Sequence, residues 1–192
     1  MNAFVRAKAI LVDPAATWRG FEEDVGDPAY LLSRYVAVLA LIPAVSSFIG
    51  ATLIGVVAPS GAILRADLID GLFGAIFSYA ASCAIVLLLG LIIDLLAPLF
   101  GGRRDFEHAF KLAVYSFTPL WLAGIFLLLP GLRFLLLTRV YGIYLFWLGA
   151  PRLAKVPEQQ SANFTLVIVI CAVGLLYGAA LAQRLLFGTP GL

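Results

Sequence analysis

Long apolar runs separated by short polar punctuation organise this chain. A polar stretch, residues 1–31, is followed by apolar stretches at residues 32–58, 68–97, 107–129, 132–148 and 164–187. A helix crossing the bilayer needs about 20 apolar residues, with a working range of about 17–25. The pattern therefore predicts an all-α polytopic membrane protein: a bundle of five transmembrane helices with a short N-terminal interfacial helix. The breaks are Gly101-Gly102-Arg103-Arg104-Asp105, Leu129-Pro130-Gly131, and the polar loop Arg152 to Asn163. The second of these is so short that the third and fourth spans must form an antiparallel hairpin. Residues 188–192 are read as a short tail.

Composition strengthens this reading. Of 192 residues, 62% are apolar and 12% charged, and mean hydropathy is +1.03. These values exclude a soluble enzyme, a disordered tail and a disulfide-rich secreted domain. Cys83 and Cys171 both fall inside apolar runs and read as small core residues. The net charge of +2 is dispersed and leaves no nucleic-acid footprint.

The N-terminal segment reads as interfacial. Phe4, Val5, Lys8 and Leu11 fit a short amphipathic face, and Asp13-Pro14 fits an N-cap with proline at the first helical position. Trp18 and Phe21 follow on one side, with Trp18 placed as an anchor in the headgroup layer. Arg6 and Lys8 precede only four apolar residues, Ala9 to Val12, so the segment does not read as a signal peptide.

Lysine and arginine counts set the expected orientation. Arg6, Lys8, Arg19, Arg34, Arg103, Arg104, Lys111, Arg152 and Lys155 share one side, and Arg65, Arg133, Arg139 and Arg184 the other. The bias predicts a cytoplasmic N-terminus and a C-terminus outside, in the periplasm.

Against so few charges, two stand out. Asp94 lies within the second span, about 10 Å from its cytoplasmic end at 1.5 Å per residue. Such a carboxylate faces a partner or a wet cavity. It reads either as an ion-, proton- or headgroup-contacting group, or as a bond to Tyr115, Ser116 or the nearby loop backbone. Arg139 lies in the outer half of the fourth span, where it either snorkels outward or partners Asp94. Pro119 interrupts the third span and frees the carbonyl of Tyr115; Ser116 or Thr118 can compensate. That makes the region a hinge or cavity wall, or simply packing. Gly174, Gly178 and Ala182 form a small-residue face suited to close helix approach. Tyr141, Tyr144 and Trp147 form an aromatic stripe. Asp105, Glu107 and His108 read as an acid-rich helix start favoured by the macrodipole. With one histidine in the chain, no metal site is expected. No catalytic motif and no cofactor motif is present.

The stretch Leu91-Ile92-Ile93-Asp94-Leu95-Leu96-Ala97-Pro98 leads into Gly101-Gly102, and then Phe110 to Pro119. Tyr141 to Pro151, Val156-Pro157-Glu158 and the early Pro14 and Trp18 follow the same order. Together they resemble the bacterial branch of the YIP domain family, named for Ypt-interacting proteins, from about residue 5 to 185. The resemblance implies five spans, a cytoplasmic N-terminus and a bacterial inner-membrane location. Eukaryotic relatives bind Rab-type GTPases in vesicle traffic; that partner does not carry over to a bacterium, and the family's acidic signature is only echoed at Asp94 to Pro98.

Two functions are therefore expected to compete. One is a non-enzymatic scaffold or adaptor in membrane organisation or envelope trafficking, with membrane lipids, further copies of itself or other membrane proteins as partners. The other is a small oligomeric channel or transporter using Asp94. A polar cavity joining Asp94, Tyr115 and Arg139 favours transport, and a dry bundle favours the scaffold.

Overall fold

Local capping chemistry sets where the helices begin. In the computed structural model, which describes residues 3–23, 27–57 and 63–187, two short helices precede five long ones. The short pair is α1 (Ala3–Val12) and α2 (Pro14–Glu23). The long helices are span 1 (Pro28–Ile54), span 2 (Leu68–Phe100), span 3 (Phe106–Leu128), span 4 (Phe134–Leu153) and span 5 (Glu158–Phe187). The chain is an all-α polytopic membrane protein. Among the described residues, strand is confined to Val56–Val57 and Ile63–Leu64, paired antiparallel beside the first loop.

Aspartates cap three of the spans. Asp27 accepts from the Ala29 N–H at 2.9 Å, Asp67 from Ile69 at 2.8 Å and Asp105 from His108 at 3.3 Å. Each satisfies a donor that a helix start leaves unpaired. Asp27 with Pro28 starts span 1 four residues before its apolar run. Span 1 stops at Gly55 and span 2 at Gly101, with φ of +82° and +79°, a region that favours glycine. The expected end at Ala58 and the 188–192 tail lie outside the described residues.

Span 4 does not close at Gly149-Ala150-Pro151 but continues to Leu153. Pro151 lacks the N–H that would bond the Trp147 carbonyl. Ser161 of span 5 supplies the missing donor, its Oγ reaching that carbonyl at 3.1 Å. Span 5 correspondingly begins at Glu158 rather than Phe164, because the polar turns before Phe164 are helical and are tied to span 4.

Span 3 is the hub. Its membrane stretch is 67% buried, against 17–33% for the other four, and it packs against spans 1, 2 and 4. Trp121 donates to the Ser82 hydroxyl of span 2 at 2.8 Å, and the Tyr35 and Thr118 hydroxyls share a 2.8 Å bond between spans 1 and 3. Glycines permit the closest approaches. A Cβ at Gly124 would lie 2.6 Å from the Pro43 Cβ. One at Gly142 would lie 2.5 Å from the Ser116 carbonyl oxygen. Span 3 breaks at Phe117, just before Pro119, and tightens to a 3-10 helix over Ala123–Leu128. The chain then turns through extended Leu129 into a second 3-10 stretch, Pro130–Val140, before regaining α-helix at Tyr141. So long a 3-10 run is uncommon and marks strain or a hinge.

Candidate functional site

The N-terminal helices form a helical hairpin packed against spans 3 and 4. Tyr141 donates to the Leu11 carbonyl at 3.2 Å. Tyr141 is twelve residues before Leu153, about 18 Å along the helix.

The turn makes its own hydrogen bonds. The Asp13 N–H donates to the Ala9 carbonyl at 2.9 Å, and the Asp13 carbonyl accepts from the Thr17 N–H at 3.1 Å and Thr17 Oγ1 at 2.6 Å. Asp13 Oδ1 caps the Ala16 N–H at 3.0 Å. Pro14 brings no donor to satisfy.

The inward face differs from the expected one. Ala3, Ala7 and Ile10 are buried, while Phe4 and Val5 are exposed; small alanines let α1 approach the bundle closely. Trp18 is 0% exposed, so it is a core residue and not a headgroup anchor. Its indole fills the slot left by Gly149, where a Cβ would lie 2.8 Å from the ring. Phe21 stacks on Tyr115 at 4.1 Å between ring centroids, and Trp18 meets both edge-on. Arg6 donates to the Tyr115 hydroxyl at 2.9 Å.

Three basic side chains converge on the last turn of α2, where helical carbonyls are left unpaired and the dipole favours positive charge. Lys111, buried in span 3, donates to the Phe21 carbonyl at 3.4 Å, and His108 Nε2 lies 3.4 Å from the Glu22 carbonyl. Lys155 bonds the Glu22 carboxylate. That bond holds the Glu22 carboxyl below its ordinary pKa. Burial opposes charge on Asp105, but bonds from His108 and Arg103 outweigh it and lower that pKa too. In the sequence Lys111 figures only in the orientation count, and its bond to α2 is not foreseen there. The available signal was its place on the inward face of a helix whose neighbours are apolar.

The intramembrane polar residues are dispersed rather than joined. Asp94 Oδ2 pairs with Arg104 of the adjoining loop at 3.4 Å, not with Tyr115, Ser116 or Arg139. Thr118 goes to Tyr35, so neither it nor Ser116 bonds the carbonyl freed by Pro119. The Ser116 Oγ and the Arg139 Nε are each buried with no hydrogen-bond partner among the described residues. Both line a cavity of about 280 Å³ between spans 2, 3, 4 and 5, whose other side chains are apolar. Gly174 and Gly178 have nothing within 4 Å of a built Cβ. With Ala182, they form a face not used in packing among the described residues.

Five apolar spans, with spans 1, 2 and 4 packed about the hub span 3 and a helical hairpin packed against the bundle, define a multi-pass membrane protein. The Yip1 domain matches residues 8–181, and the chain belongs to that family. The inner membrane protein YohC of Escherichia coli strain K12 is 29% identical over 137 residues, covering 69% of this chain and 70% of that protein. YohC of E. coli O6:H1 strain CFT073 matches to the same extent. No solved structure matches. The family and these relatives place the chain in the inner membrane.

Proposed function

We propose that this chain is a non-enzymatic scaffold or adaptor of the inner membrane, acting on lipid organisation or envelope trafficking, with its N-terminus cytoplasmic and its C-terminus periplasmic. One observation carries the reading. The groups that a conducting path would align are held apart: Asp94 by Arg104, Tyr115 by Arg6 and Phe21, Thr118 by Tyr35. A bundle with a hairpin tied in by basic side chains suits a protein that presents a fixed surface. Partners fitting this role are membrane lipids, further copies of the chain or other membrane proteins.

Reconstitution into proteoliposomes and mass spectrometry of material co-purified in native nanodiscs test the reading together. It expects specific lipids or proteins to co-purify, no ion or solute flux, and the same behaviour from Asp94→Asn. Flux that falls with Asp94→Asn would overturn it in favour of a channel. Fusing alkaline phosphatase to the C-terminus tests orientation, with activity expected.

A further inference from the structure

The cavity at Arg139 is built unlike the rest of the bundle. Arg139 and Ser116 are its only polar side chains, and the Arg139 Nε and Ser116 Oγ are both buried and unbonded among the described residues. A cationic side chain whose Nε is buried and unbonded beside apolar walls favours an anionic acceptor.

Access is sideways, from the lipid. Val140, Ile143 and Val173 of the lining are exposed at 59%, 41% and 58%. Polarity is also ordered with depth. Arg139 is nearer the Phe134 end of span 4, whereas Phe146 is further toward the hairpin side. Gly142, three residues on from Arg139, brings Ser116 into the same space by its lack of a side chain.

We propose that this cavity binds an anionic amphiphile. Arg139 holds its oxyanion head, Ser116 donates to a second oxygen, and the apolar chain runs past Phe146 and Ile168. The volume sits just below the range of about 300–1,000 Å³ usual for small-molecule sites, so it takes a head and the start of a chain while the remainder stays in the bilayer. A planar guanidinium suits phosphate or carboxylate oxygens. An anionic phospholipid and a free fatty acid both present this chemistry.

Native mass spectrometry of the purified full-length chain tests the site, with phosphatidylglycerol, phosphatidylcholine and palmitate as separate probes. Wild-type protein retains phosphatidylglycerol, palmitate or both in preference to phosphatidylcholine. Palmitate alone identifies a free acid; both together mean that the oxyanion is what is read. Arg139→Met weakens retention roughly tenfold or more, in keeping with loss of a charged hydrogen bond. Ser116→Ala, which leaves the charge in place, weakens it less. Thermal melts check folding: the anionic probe raises the Tm of wild type but not of Arg139→Met, by mass action. Equal retention of anionic and zwitterionic lipid overturns the proposal, as does unchanged retention in both variants. Occupancy does not depend on the scaffold reading, because flux reports on one and lipid retention on the other.

Discussion

Arg6 and Tyr115, 109 residues apart, are joined by a 2.9 Å hydrogen bond from guanidinium to hydroxyl. The bond ties α1 to the hub of the bundle. Tyr115→Phe removes the acceptor and little else of the ring. A hydrogen bond to a charged group contributes about 1.5–3 kcal/mol. Hydrogen–deuterium exchange should therefore rise by roughly tenfold or more in Ala3–Glu23 while spans 2 and 5 stay protected. Equal loosening of all helices would mean that the hairpin is not a separable unit.

Gly149 gives the second handle on the hairpin. Its added Cβ would meet Leu112 at 2.7 Å and Trp18 at 2.8 Å. Gly149→Val should expel the indole at a cost of about 1–3 kcal/mol. In a background retaining Trp18 as its one tryptophan, quenching by a water-soluble agent should rise sharply in the variant. Unchanged quenching would contradict the packing described.

Gly124 and Gly174 make a matched pair. At Gly124 a methyl group would meet the Cβ, Cα and N of Pro43 at 2.6, 2.8 and 3.0 Å, and neither proline ring nor backbone can yield. Gly124→Ala should lower stability by about 1–3 kcal/mol. Gly174→Ala, in open space and favoured by helix propensity, should not. Thermal denaturation of the monomer in detergent compares them directly.

The Glu22–Lys155 pair predicts acid sensitivity of hairpin docking. The folded-state pKa of Glu22 is depressed, so its contribution is present above the ordinary carboxylate value of about 4.3. It fades as pH falls through the lower folded value. Protease access to α2 should increase over that acidic window. Glu22→Gln should remove the pH step, and added salt should weaken the exposed pair. A step of the same size in Glu22→Gln would assign it to another carboxylate, with Asp105 next in line.

What the sequence made legible was local. Asp13-Pro14 announces a helix start because the capping oxygen and the missing N–H are adjacent in the chain. Spans 2 and 3 are recognisable for the same reason, from apolar length and an aspartate at the start. Contacts between distant positions were not legible. Pro151 looks like a terminator until Ser161 of the next helix bonds the carbonyl it leaves open. Trp18 looks like a headgroup anchor until Gly149 supplies a slot for it. Arg139 is conspicuous as a charge in an apolar run. Its neighbour Ser116 becomes relevant only because Gly142 lets two helices touch.

The docked hairpin also imposes an order on how the molecule is made. Trp18 and Glu22 leave the ribosome early, yet their seats at Gly149 and Lys155 are translated about 130 residues later. At about 5–20 residues per second, the hairpin waits on the order of ten seconds for its socket. During that interval an amphipathic segment carrying a bare indole is held near the nascent membrane helices without its final neighbours. The hairpin is thus locked only after span 4 has been made, and its docking reports that Gly149 and Lys155 have arrived.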